Sequence, residues 1–197
     1  MLFGNNAPAV DNATAILNEL NIQTEVSLSI KTLAAADARY LRDLKINISN
    51  ALGAESLGAK DAYLIALAVA ANEKVEPLQK AFEALALQSG ATDKEVAEVI
   101  SCTSLMNANN VYYRFRHFMN EEFYNNAQAG IRMSIMANPV VGKELFELVS
   151  LVVSAVNGCE MCVTSHEKTL IGHGTGKQRI HDAVRLGAVV KSLAVLL

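Results

Sequence analysis

Cys159 and Cys162 lie three residues apart, and His166 follows four residues later, in the run Asn157-Gly158-Cys159-Glu160-Met161-Cys162-Val163-Thr164-Ser165-His166. On a helix these three side chains share one face. A C-x-x-C pair can close a small disulfide ring, and a helix N-terminus or a neighbouring histidine can lower a thiol pKa. Those are the requirements of a dithiol redox centre. The two activators favour different sulfurs. His166 sits one turn beyond Cys162, whereas Cys159 is nearer the helix start and its dipole. Spacing alone leaves the nucleophile open.

The same residues admit other readings. Zinc prefers tetrahedral sulfur and nitrogen ligands, and C-x2-C spacing is common in its sites. Cys159, Cys162 and His166, with His173, could supply such a set, although one helix and its exit rarely encircle an ion. Alternatively, the two cysteines are small buried hydrophobes. Cys102, within Val99-Ile-Ser-Cys-Thr-Ser-Leu105, reads as core filler. His117, His173 and His181 have no partner at diagnostic spacing and read as surface or locally hydrogen-bonded residues. Glu147 interrupts the apolar run 145–153. A buried carboxylate needs partners or must be neutral. A bend at Asn157-Gly158 could bring it to the thiols or to His166; equally, its helix could expose it beside Glu144.

The elements that would position these residues are helical. Apolar spacing predicts helices over 12–21, 25–51, 60–71, 77–87 and 141–156, and over 177–197 at the end of the chain. Another opens at Thr92 with a capping box closed by Glu95 and runs towards Asn107. The stretch 109–126, rich in tyrosine and phenylalanine, reads as a packing or subunit-contact segment. Asn138-Pro139 marks a loop, and Gly172, Gly174 and Gly176 form a link. No strand pattern of useful length occurs, so the expected class is all-α, one domain over 1–197. A shift of 84 residues lays 65–71 on 149–155 and 96–100 on 180–184, a degenerate internal helical repeat. In it Val75 and Leu78 occupy the places of Cys159 and Cys162.

Composition narrows the function classes. An apolar fraction of 51% suits a compact core, and a net charge of −3 without a basic stripe gives no reason to expect nucleic acid. No apolar run is long enough to span a bilayer, and the first ten residues lack a secretory pattern, so a cytoplasmic protein is expected. Three cysteines are too few for a disulfide framework.

The C-x-x-C-x-x-x-H pattern, with a glutamate twelve residues before its first cysteine, resembles the AhpD-type alkyl hydroperoxidases of the carboxymuconolactone decarboxylase-like group. Met106-Asn-Ala-Asn-Asn-Val-Tyr-Tyr-Arg-Phe-Arg116, Gly130-Ile-Arg-Met133 and Ile135-Met-Ala-Asn-Pro139 are similar to segments of the same family. The likeness runs from about Leu41 to the C-terminus. It implies an all-helical subunit, usually a homotrimer, whose dithiol reduces the AhpC peroxiredoxin and, weakly, organic hydroperoxides. It also implies recharging by dihydrolipoamide on a lipoylated 2-oxoacid dehydrogenase component, with dihydrolipoamide dehydrogenase, and no bound cofactor or metal. Carried onto this sequence, Cys162 would be the peroxidatic thiol that forms sulfenic acid. Cys159 would be proton donor and resolving partner, closing a Cys159–Cys162 disulfide, and Glu147 and His166 would form the proton relay. Relatives carry histidine immediately before the second cysteine, where this chain has Met161. That departure bears on direct peroxidase activity more than on dithiol exchange, which needs two sulfurs and an activator.

Overall fold

The computed structural model describes residues 9–22 and 26–197. Its regular structure is ten α-helices and one 3₁₀ turn, with no strand among the described residues. The all-α expectation holds because the long apolar stretches repeat at helical spacing. Residues 1–8, where no leader was expected, and Glu25, the expected start of the second helix, lie outside the described residues.

The first three helices are α1 (Ala9–Glu19), α2 (Leu28–Ala35) and α3 (Tyr40–Leu52). The single helix expected over 25–51 is therefore two. Asp37 takes φ 47°, and the Ala38 amide reaches back to the Leu33 carbonyl at 3.0 Å. Aspartate tolerates this left-handed turn better than most residues. Apolar spacing ran on across the break and gave no warning of it.

Six further helices carry the rest: α4 (Ala59–Asn72), α5 (Glu76–Gln88), α6 (Asp93–Met119), α8 (Lys143–Val156), α9 (Glu160–Gly172) and α10 (Lys177–Ala194). Between α6 and α8 lie the short α7 (Glu122–Asn126) and the 3₁₀ turn Ser134–Met136. The helix expected to end near Asn107 continues to Met119, so the aromatic segment is its second half together with α7. Gly172 closes α9, which leaves a link of His173 to Gly176.

The internal repeat is structural. Helices α4, α5 and α6 begin 84 residues before α8, α9 and α10, and the first two pairs also end in register. Gly58 enters α4 at φ 74°, ψ 155°, and Gly142 enters α8 at φ 82°, ψ 156°. Val75 caps α5 at φ −94°, ψ 91°, and Cys159 caps α9 at φ −98°, ψ 91°. One ion pair recurs with its signs exchanged: Lys60–Glu95 at 2.8 Å in the first copy, Glu144–Arg179 at 3.3 Å in the second. A shared backbone with a reversed charge pair is what divergence after duplication would leave.

Helices α4 and α8 form the centre, and α6 and α10 pack against both. From Leu64 to Ala70 and from Leu148 to Ser154 every residue is buried. Gly187 permits the closest approach: a Cβ there would lie 2.5 Å from Val152 Cγ1, so α10 could not reach α8 with a larger residue.

Two stability predictions arise here. Lys74 sits at φ 59° where its counterpart Gly158 has φ 69°. A lysine is strained in that region. Lys74→Gly is expected to stabilise the fold by about 0.5–1 kcal/mol, net of the extra freedom glycine gives the unfolded chain, seen as a higher urea midpoint.

Glu95 accepts from the Thr92 amide at 2.7 Å, completing the capping box, and binds Lys60 through its other oxygen. The hydrogen bond from Lys60 holds its carboxyl below the ordinary value of 4.5. A depressed pKa means stability present above that ordinary value and lost as pH falls through the folded one. Glu95→Gln should cost about 1 kcal/mol at neutral pH. That deficit should shrink as urea titrations are moved below pH 4.5.

Candidate active site

Beyond Lys143 and Glu144 in its first turn, helix α8 is apolar except for Glu147, Ser150 and Ser154, which recur at helical spacing and form one polar stripe towards α6 and α9. Each member has a partner across the interface. Glu147 Oε2 lies 2.6 Å from His166 Nδ1 on α9. The Ser150 hydroxyl contacts Cys102 Sγ at 3.3 Å, and Ser154 Oγ accepts from Asn110 Nδ2 at 2.9 Å, both on α6. The first copy has Tyr63, Ala66 and Ala70 at these places. The glutamate is therefore turned inward; its side chain is 15% exposed and that of His166 12%.

The turn Asn157-Gly158 brings α9 back along α8. Gly158 takes φ 69°, and the Cys159 amide donates to the Ser154 carbonyl at 3.0 Å. Cys159 is the N-cap of α9 and Cys162 lies in its first turn. Both sulfurs are thus within reach of the helix N-terminus, so the dipole does not favour Cys159 as the sequence suggested. They are joined as a disulfide, with their Cα atoms 5.3 Å apart.

Access distinguishes the two. Cys159 is fully buried, whereas Cys162 borders a cleft of about 320 Å³. Asn109, Tyr113, Met133, Met136, Met161, Ser165 and His166 complete its wall. Three methionines give it a pliable, polarizable apolar lining. A neighbouring cleft, which shares Met136, places Glu147 beside Lys143 and His173. Glu147 and His166 thus connect two openings.

Other candidates fall outside this arrangement. Cys102 is buried, and burial pushes its thiol pKa up to about 12, so it offers no thiolate at neutral pH. His117 pairs with Glu160 at the surface, and His181 lies 3.6 Å from Asp182. Among the described residues, no group of three histidine, cysteine or acidic side chains is placed to hold a metal ion. The two sulfurs of the zinc reading are engaged in the disulfide.

Residue types and spacing did not single out Asn109, Tyr113, Met133 and Met136 as cleft residues. The available signal was the family-like segments 106–116, 130–133 and 135–139, which contain all four and converge here.

Comparison with known proteins agrees with the geometry. The family model described as "Carboxymuconolactone decarboxylase family" matches residues 124–196. The chain is 37% identical over 170 residues to the alkyl hydroperoxide reductase AhpD of Rhizorhabdus wittichii, covering 86% of this chain and 97% of that protein. The chain belongs to the AhpD family. Against AhpD of Anaeromyxobacter dehalogenans it is 40% identical over 156 residues, 79% of this chain and 83% of the relative. For AhpD of Streptomyces coelicolor the identity is 34% over 170 residues, with coverage of 86% and 95%. Among the described residues, no helix is long and apolar enough to cross a membrane.

Proposed function

We propose that this chain, acting as one domain over 1–197, is an antioxidant thiol–disulfide oxidoreductase that reduces an AhpC-type peroxiredoxin through Cys159 and Cys162. Direct reduction of alkyl hydroperoxides is its weaker activity. The observation that carries the reading is Cys162 opening on an apolar cleft, bonded to a buried cysteine and flanked by a paired histidine and glutamate.

In the peroxidase reaction the Cys162 thiolate attacks the terminal peroxide oxygen. The O–O bond breaks, an alcohol leaves with a proton, and Cys162 becomes a sulfenic acid. The Cys159 thiol then attacks that sulfur; water leaves and the disulfide forms. With a peroxiredoxin disulfide, Cys162 forms the mixed disulfide and Cys159 resolves it. Dihydrolipoamide returns two electrons and two protons and becomes lipoamide. Glu147 accepting from Nδ1 fixes the His166 tautomer and leaves Nε2 to exchange protons at the cleft. Met161 cannot carry a proton, which is why direct peroxide turnover is the weaker activity.

A cytoplasmic setting suits this chemistry, because lipoylated 2-oxoacid dehydrogenase components and dihydrolipoamide dehydrogenase work there. The strongly exposed Val111, Phe118 and Phe123 on α6 and α7 offer an apolar face for assembly as a homotrimer. The test is a reconstitution containing dihydrolipoamide dehydrogenase, a lipoylated carrier, this chain, an AhpC-type peroxiredoxin and cumene hydroperoxide. NADH oxidation should depend on every component. Oxidation at the same rate without this chain would refute the reading.

A further inference from the structure

The turn that carries Cys159 is held by a polar network that the other half of the fold matches only in part. Asn110 Nδ2 donates to Ser154 Oγ at 2.9 Å, and Asn157 Nδ2 donates to Asn110 Oδ1 at 2.9 Å. Asn72 Nδ2 donates to Asn157 Oδ1 at 3.0 Å, and Arg114 Nη1 binds the Asn157 carbonyl at 2.5 Å. Asn110 is 1% exposed and Ser154 not at all, so both depend on these bonds to offset burial.

The internal repeat provides a control within the molecule. The first copy makes the same turn: the Val75 amide reaches the Ala70 carbonyl at 3.1 Å, as the Cys159 amide reaches Ser154 at 3.0 Å. Yet around that turn the places of Ser154 and Asn110 are taken by Ala70 on α4 and Ala194 on α10. The counterpart of Asn157 is Glu73, which accepts from Asn72 Nδ2 at 2.9 Å and pairs with the half-exposed Lys191 on α10 at 2.9 Å. The backbone therefore does not need the buried Asn110–Ser154 link in order to turn. What distinguishes the second turn is its cargo, a redox cysteine where the first has a valine.

We propose that Asn110, Ser154, Asn157 and Arg114 are positioning residues for the dithiol, which hold Cys159 in its ring-closing position after the disulfide has been reduced. This rests on the redox reading above. Once the S–S bond is broken, Cys159 is kept near Cys162 by the turn and by the first hydrogen bond of α9, from the Val163 amide to the Cys159 carbonyl at 2.9 Å. A turn fixed by three side chains from α4 and α6 presents the thiol at high effective concentration, which favours the disulfide and makes the dithiol a stronger reductant.

The test is a redox titration in glutathione buffers at fixed pH, with the bridge quantified by mass spectrometry after alkylation. In each titration two glutathione thiols give up two electrons and two protons, Cys159–Cys162 opens to two thiols, and glutathione disulfide forms. Two variants are compared with wild type: Asn110→Ala with Ser154→Ala, which installs the residues found around the α4–α5 turn, and Arg114→Gln, a milder change at a half-buried site. Each should lower the equilibrium constant for ring closure about tenfold, a rise of about 30 mV in midpoint potential. A potential unchanged in both variants, with only the melting temperature lowered, would show a purely structural network and overturn the proposal. So would a shift towards more reducing values. A wild-type protein that forms no disulfide in any buffer would remove the redox reading and this inference together; a normal wild-type titration insensitive to the variants removes this inference alone.

Discussion

Cys162→Ser is expected to lower both peroxiredoxin reduction and hydroperoxide turnover by at least about 10³-fold, because serine is a poor substitute for a thiolate nucleophile at neutral pH. Fold stability should barely change in the reduced protein, since the swap is nearly isosteric and the residue sits at the cleft wall. Cys162 borders the cleft, while Cys159 is fully buried beneath it. Cys159→Ser should behave differently: Cys162 can still be oxidised once, but its sulfenic acid has no resolving thiol. Stopped-flow should then show a single turnover with a trappable sulfenic acid on Cys162. A Cys162→Ser protein that traps sulfenic acid on Cys159 instead would reverse the two roles.

The second large effect is expected at the Glu147–His166 pair. Glu147→Gln keeps the shape of the side chain and removes its charge. The Nδ1 contact of 2.6 Å no longer fixes one tautomer, because an amide can donate as readily as accept. A loss of about 10²-fold in the rate of Cys162 oxidation is the magnitude of a general acid–base contribution. His166→Gln should cost a similar factor. Because the two act as one unit, the double variant should be no slower than the worse single variant, within a few-fold. Losses that multiply would mean that the residues act separately. The measurement is the rate of Cys162 oxidation by cumene hydroperoxide for all four proteins, taken across pH so that a change in profile accompanies the change in rate.

Much of this was legible in the sequence because the features concerned are local. The capping box at Thr92 and Glu95 requires only a three-residue spacing, and the C-x-x-C ring requires the same. The 84-residue shift was visible in two pairs of segments, 65–71 with 149–155 and 96–100 with 180–184, and the backbone follows it at the helix starts and caps. What spacing could not supply was facing. Glu147 read equally well as exposed or buried, since one helix's periodicity does not say what packs against it. Its recurrence with Ser150 and Ser154 becomes meaningful only once α6 and α9 supply partners. The break at Asp37 was hidden because an aspartate in a left-handed turn looks like any other helical-face residue. The choice between Cys159 and Cys162 was hidden for a related reason. Both lie at the N-terminus of α9, and only the cleft formed with α6 and the segment 133–136 separates them.

Counting free thiols by mass spectrometry in the reduced protein, before and after one equivalent of cumene hydroperoxide, shows whether Cys159 and Cys162 form a working dithiol. The expected result is loss of two thiols to a mapped Cys159–Cys162 bridge while Cys102 stays reduced. If all three cysteines remain open to alkylation after denaturation, the dithiol account is contradicted.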